Sequence, residues 1–309
     1  TDVWRGSNGI EITKPEVSNN FFIHMEGGTF LKLQEAAKTR RVFEPKVPKT
    51  NDHHVGIELE FISKMDKYEL AIALYKENVQ DFVYLTDDGS IRFVDDKGNP
   101  TDRAVDDFKY KHELTICAPE AIVHECIRRV LRAVNKDGAS KVGGRCGFHV
   151  HLDMRNRNHK LAFHNLSKAQ RILYAMNPRS PPDGSRIDGK KDTVWSKKID
   201  VEDFDQAVQV VANNGNERYY GINIQAMQKH KTIEIRIHSG STNEEKISNW
   251  VRILTGIVNL NHQVNTEAAK AETFCEYYEL DNTLCDYINM RINKFKNKEG
   301  QHVTLHEAS

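Results

Sequence analysis

This sequence has little of what usually betrays a protein's class. It contains no run of about 18 apolar residues, so nothing in it reads as a membrane span. It has no excess of either charge: 44 Lys and Arg face 44 Asp and Glu, leaving no net field to draw in nucleic acid or an anionic membrane. Cysteine is scarce. The five, Cys117, Cys126, Cys146, Cys275 and Cys285, are odd in number, scattered and never spaced as CxxC. That argues against a disulfide scaffold and a thiolate zinc site, suits a reducing compartment, and makes a cytoplasmic protein the expectation. The opening TDVWRGSNGIEIT lacks the apolar core of a signal peptide. There is no G-x-x-x-x-G-K-[ST] and no G-x-G-x-x-G, which excludes a P-loop or a Rossmann turn as the nucleotide cradle. Internal repeats and low-complexity segments are missing too.

What is present is enough for a large core: 309 residues at 39% hydrophobic content, one or two domains by length. Residues 1–50 show little periodicity and read as an N-terminal extension; 51–309 read as a single catalytic domain. HVGIELEF (54–61) is the first clear strand, followed by a helical pattern from Tyr68 to about Gln80. DFVYLTDDGSIRFVDDKGNP reads as strand, turn, strand and turn, with Asp88-Gly89 and Lys97-Gly98 as breakers. KHELTIC is a further strand, and Pro119 is placed to open a helix running to about Val134. A glycine-rich loop then leads into CGFHVHLDM (146–154). Helices are expected over Lys160–Met176 and Val201 to about Ala212, and RYYGINIQAM and KTIEIRIHSGST read as a strand pair. From about Asn243 the pattern is helical. Between 177 and 198 lies a long basic tract without periodicity, the kind of loop that serves as a lid or is disordered.

The strands share a habit. In CGFHVHLDM, Phe148, Val150 and Leu152 alternate with His149, His151 and Asp153, so the three polar groups fall on one face of a strand. Ile57, Leu59 and Phe61 alternate with Glu58 and Glu60. Leu114 and Ile116 alternate with Glu113 and Thr115, and Ile91 and Phe93 with Ser90 and Arg92. Ile233, Ile235 and Ile237 alternate with Glu234, Arg236 and His238. The apolar halves are what a sheet covered by helices requires. A solvated antiparallel face alternates as well, but it favours Lys, Thr, Ser and Gln over Glu-x-Glu, His-x-His and Glu-x-Arg. Carboxylates two residues apart stand about 7 Å from each other and repel, which a bound cation would offset. Carboxylate-rich sets suit Mg²⁺ or Mn²⁺, with imidazole best tolerated by Mn²⁺. A zinc hydrolase more often relies on histidines. The Arg236 fork suits phosphate. Metal-binding carboxylates beside a phosphate-binding arginine describe a nucleoside triphosphate site.

In this order GIELEF, DDGSIRF, HELTICAP, GRCGFHVHLD, YYGINIQAM and TIEIRIHSGST resemble the amidoligase family, which belongs to the carboxylate–amine ligase superfamily with glutamine synthetase and glutamate–cysteine ligase. The motifs run from about Val55 to Arg252. The resemblance implies an α+β fold: a curved, mainly antiparallel sheet with helices on its convex face, like the glutamine synthetase catalytic domain. It implies ATP and Mg²⁺ or Mn²⁺ as cofactors, and amide formation through an acyl phosphate. By the same resemblance Glu58 and Glu60 match paired metal carboxylates, Glu113 and Glu234 further metal glutamates, and His149 a metal histidine. His151 and Ser90 fall on the nucleotide side. Arg236 reaches the phosphates, and with Glu60 and Glu234 forms the catalytic set. Asp88, Arg92 and Arg145 are assigned to the substrate. The family places a proline about four residues after the glutamate matched by Glu113, whereas here Pro119 is six on.

The expected partners are a small-molecule carboxylate, such as an amino acid or peptide, and an amine; no membrane and no nucleic acid is expected, and nothing here requires the oligomers seen in relatives. Three other functions fit parts of the pattern: a guanidino-kinase-like phosphotransferase on the same sheet, a metal-dependent hydrolase, and a non-catalytic metal- or nucleotide-binding scaffold. Arg179, Arg186, Lys190 and Lys191 make loop 177–198 a candidate lid. Cys146 reads as a packing residue rather than a nucleophile, and His112 as facing the helices.

Overall fold

The computed structural model describes residues 3–5, 11–13, 41–43, 45, 52–95, 100–143, 146–177, 196–215 and 218–296. The chain is a mixed α+β protein whose paired strands are mostly antiparallel, and it divides into two compact units. One holds the residues up to Gly147 and Gly240–Ser248; the other holds Phe148–Ser239 and the described residues from Asn249 onward.

The first unit opens with a short hairpin, β1 (Val3–Arg5) against β2 (Glu11–Thr13). Its sheet is built from β3 (Arg41–Val42), β4 (His54–Ser63), β5 (Val83–Asp87) and β8 (Tyr110–Pro119), with β8 between β4 and β5, and β3 beyond β5. β6 (Phe93–Val94) pairs with β7 (Pro100–Thr101) rather than returning beside β5, and β9 (Ser140–Lys141) pairs with the end of β4. The alternation read from the sequence holds: Ile57, Leu59, Phe61, Leu114 and Ile116 are at most 1% exposed. Helices α1 (Lys67–Lys76) and α2 (Val123–Val134) pack on this sheet. α1 starts where it does because Asp66 and Glu69 form a reciprocal capping box, each carboxylate accepting from the other's backbone N–H at 2.8 and 2.9 Å. That satisfies two N–H groups the first turn would leave open.

Pro119 does not open a helix. It is the last residue of β8, where its missing N–H removes little from the ladder, and α2 begins at Val123. His112 turns to the helix side, as its place beside Glu113 predicts: it is buried, and its Nε2 donates to the Met65 carbonyl at 2.9 Å. Cys146 packs with Ile62, Ile91 and Phe93, as the sequence predicts.

The second unit places β12 (Thr232–Ile235) between β10 (Phe148–Asp153) and β11 (Ile222–Asn223), all antiparallel. Helices α3 (His159–Ala175), α4 (Phe204–Asn213), α7 (Ala271–Tyr277) and α8 (Asn282–Lys296) surround its core, joined by α6 (Glu244–Asn259) from Asn249 onward. The expected strand RYYGINIQAM is mostly not a strand. Only Ile222 and Asn223 form a strand, Tyr220 makes an isolated bridge with Lys197, and the chain then turns into a short helix, α5 (Ala226–His230), closed by Lys231 at φ +58°. His238 also departs from expectation. β12 ends at Ile235, the alternation lapses, and the imidazole lies in the core 4.9 Å from Phe148 and 5.1 Å from Trp250.

The packing of the first unit generates two predictions. A Cβ on Gly240 would stand 2.7 Å from Cys146 Cβ and 2.9 Å from its carbonyl oxygen, where only backbone movement makes room. Gly240→Ala is expected to lower stability by about 1–3 kcal/mol in denaturant titrations, while Gly89→Ala, with open space around it, changes little. Asp87 gives a pH effect. The His112 imidazole at 3.7 Å and the Lys67 ammonium at 2.6 Å hold its carboxyl below the usual range, outweighing the upward push of burial. Such a group contributes stability above its ordinary pKa of about 3.9, and the contribution is lost as pH falls through the depressed value. Asp87→Asn should therefore flatten the loss of stability below about pH 4; a variant curve parallel to wild type from pH 3 to pH 7 would contradict this.

Candidate functional site

In the first unit, β4 and β8 pair so that Glu60 stands directly opposite Glu113, and Glu58 opposite Thr115. Like charges in register across two strands destabilise them. The Asp88-Gly89-Ser90 turn brings in a third carboxylate. Ser90 donates from its backbone N–H at 2.7 Å and its hydroxyl at 3.0 Å to Asp88, which fixes how that carboxylate points. Glu60, Asp88 and Glu113 each bring one oxygen within 4.8 Å of the other two. Ligands of one ion at about 2.1 Å stand roughly 3–4 Å apart, so the set fits one divalent cation after small adjustments. Oxygen donors alone select Mg²⁺ or Mn²⁺ over zinc. Glu60 is oriented further by the Gly147 N–H, 2.5 Å from its Oε2.

The three acids divide differently from the sequence-based roles. Asp88, assigned above to substrate, lies with two residues assigned to metal, and Ser90 bonds Asp88. Arg92 is committed locally: Nε pairs with Asp102 at 2.9 Å, and Nη1 donates to the carbonyls of Gly89, Ser90 and Ile91 at 3.0–3.3 Å. Arg145 and the loop arginines and lysines at 179, 186, 190 and 191 lie outside the described residues.

In the second unit Glu234 occupies the middle strand, with His151 its register partner on β10 and Asn223 its partner on β11. Its Oε2 accepts from Asn223 Nδ2 at 2.6 Å. Its Oε1 accepts from Arg236 Nη1 and lies 3.5 Å from His149 Nδ1 and 4.0 Å from His151 Nε2. Arg236 Nη1 is also 3.4 Å from His149 Nδ1. His151 is fixed through Nδ1 to the Thr232 hydroxyl at 3.0 Å. The side chains of His149, Glu234 and Arg236 are 9, 7 and 12% exposed, so the charges interact with little screening. An imidazole beside a carboxylate is a donor pair that Mn²⁺ accepts readily. Asp153, on the same strand as the histidines, is instead paired with Arg155 at 2.8 Å.

Sequence reasoning missed Asn223 and Thr232. Asn223 carried a signal, a polar residue alternating with Ile222 and Ile224. Thr232 carried the same signal, alternating with Ile233 on the face of Glu234, but its contact with His151 depends on the register of β12 against β10.

Residues 192–258 match the family model described as "Putative amidoligase enzyme". The matched segment includes β11, β12, Glu234 and Arg236. No curated protein matches the chain. The match supports the amidoligase resemblance read from the motifs. No helix among the described residues is long and apolar enough to cross a membrane.

The carboxylate trio makes a stability prediction independent of activity. In EDTA, Glu113→Gln removes a like charge opposite Glu60 and is expected to raise stability by about 0.2–1 kcal/mol. With millimolar Mn²⁺ the wild type gains by binding and the order reverses. A variant less stable than wild type under both conditions, in thermal unfolding, would contradict the reading.

Proposed function

We propose, from the amidoligase match as premise, that this chain is an ATP-dependent carboxylate–amine ligase that forms an amide bond through an acyl phosphate. The observation that carries it is Glu60 facing Glu113 across β4 and β8 with Asp88 beside them. A cation held among the three carboxylates would offset their mutual repulsion. Mg²⁺ or Mn²⁺ held there would neutralise charge on a polyphosphate chain. The His149–Glu234 pair offers further donors, and a curved sheet like that of glutamine synthetase belongs to the same reading.

The residues then have these tasks. Glu60, Asp88 and Glu113 would hold the cation, with the Ser90 bonds keeping Asp88 aimed. Glu58, on the same face of β4 as Glu60, adds negative charge. Arg236 presents a fork to the transferring phosphoryl group. His151, whose Nδ1 meets the Thr232 hydroxyl, is assigned to the nucleotide side by the same reading. The carboxylate substrate takes the γ-phosphoryl group and ADP leaves. The amine, having lost its proton to a nearby carboxylate, attacks the acyl carbon and phosphate departs. An acyl phosphate is open to water, which is why a lid is expected of such an enzyme.

Purified protein offered Mg²⁺-ATP with pooled amino acids and polyamines should release phosphate only when an acid and an amine are both present. Glu60→Gln and Arg236→Ala should each lower that rate by about 10²–10³-fold, and mass spectrometry should find an amide. ADP formed with a stable phosphorylated acceptor, and no free phosphate, would overturn the ligase reading in favour of a phosphotransferase.

A further inference from the structure

We infer that the His149–Glu234 pair is a cation-exchange site: the Arg236 guanidinium is its resident cation and must leave before a divalent metal ion enters. The inference rests on the proposed function only in taking this pair as a metal site.

The argument begins with a lone pair. Arginine has donors and no acceptor. The contact of Arg236 Nη1 with His149 Nδ1 at 3.4 Å therefore uses the unprotonated face of that ring nitrogen. A ring nitrogen has one lone pair in the ring plane. It can accept from the guanidinium or coordinate a metal ion, not both. The same Nη1 bonds Glu234 Oε1, 3.5 Å from His149 Nδ1. A metal ion shared by Nδ1 and Oε1 would lie about 2.1 Å from each. Nη1 is within hydrogen-bonding reach of both atoms, so ion and guanidinium would compete for the same two donors and repel each other at short range.

Burial explains why arginine sits there. A carboxylate that is only 7% exposed is costly to leave without a counter-charge. Arg236 on Oε1 and Asn223 on Oε2 give Glu234 partners on both oxygens. The pair is thus already satisfied by groups of the chain itself, and an incoming ion must displace a cation rather than fill a waiting charge. The displacement lowers apparent affinity by the fraction of molecules in which Arg236 has swung away. It also couples two ligands: an ion on His149 and Glu234 frees the guanidinium for an anionic phosphoryl group, and an anion holding Arg236 opens the pair to the ion. By linkage each raises the other's affinity by the same factor.

The test is Mn²⁺ binding, followed by the loss of the free-ion paramagnetic resonance signal, on the full chain without nucleotide. The relevant ions are those lost in Glu234→Gln. Arg236→Met should bind that class at least tenfold more tightly than wild type. Equal affinity in both proteins would overturn the exchange and leave the metal reading standing. No Mn²⁺ in a class sensitive to Glu234→Gln, in either protein, would overturn both. Because Arg236→Met leaves Glu234 without its cation, it should unfold at lower temperature than wild type in EDTA and recover with Mn²⁺. Should it fail to fold, a crystal structure of wild type soaked in Mn²⁺ decides. Nη1 displaced from Glu234 Oε1, with the ion on His149 Nδ1, supports the exchange. An ion bound there with Arg236 unmoved overturns it.

Discussion

The first unit depends on one register, that of β4 against β8. Ten residue pairs run from His54 opposite Pro119 to Ser63 opposite Tyr110. The register sets Leu59 on Leu114 and Ile57 on Ile116, which buries the apolar face. The same register sets Glu60 on Glu113. Side chains alternate with period two, so a slip by one residue would send the glutamates into the core and the leucines to the opposite face. Leu59 and Leu114, buried on one face, thereby hold the Glu60 and Glu113 carboxylates opposite each other on the other. The Asp88–Ser90 turn adds the third acid by a separate local device, an aspartate that binds the backbone two residues on.

The second unit surrounds one carboxylate with groups of different chemistry. Glu234 lies on the middle strand of three, with an amide on one side, an imidazole on the other and a guanidinium two residues on, just past the end of β12. The contrast is chemical. Oxygen donors converge in one unit, while in the other a carboxylate, an imidazole and a guanidinium already neutralise one another.

Legibility in the sequence followed period two. The polar faces of β4, β8, β10 and β12 were readable because Ile, Leu, Val and Phe alternate with Glu and His over four or more residues. The reading failed where alternation stops short of the pattern's apparent end. His238 continues the spacing of Glu234 and Arg236, yet β12 has ended and the ring packs on Phe148 and Trp250. Pro119 carried a helix-start signal that strand pairing overrode, because His54 needs a partner across the sheet. Asp88 was visible as a turn residue, but its convergence with Glu60 and Glu113 depends on how the turn leaves β5. Asn223 and Thr232 sit at alternating positions, but which groups they meet depends on cross-strand register, which no local pattern encodes. Tertiary pairing, not propensity, decided each of these.

The central claim is that Glu60, Asp88 and Glu113 hold a divalent ion that meets the phosphates of ATP. The most direct measurement is anomalous diffraction at the manganese edge from crystals grown with Mn²⁺ and a non-hydrolysable ATP analogue. The account predicts an anomalous peak in coordination contact with all three carboxylates and with phosphate oxygens of the nucleotide. A bound nucleotide whose phosphates lie away from this trio, or a trio without manganese at saturating Mn²⁺, would contradict it.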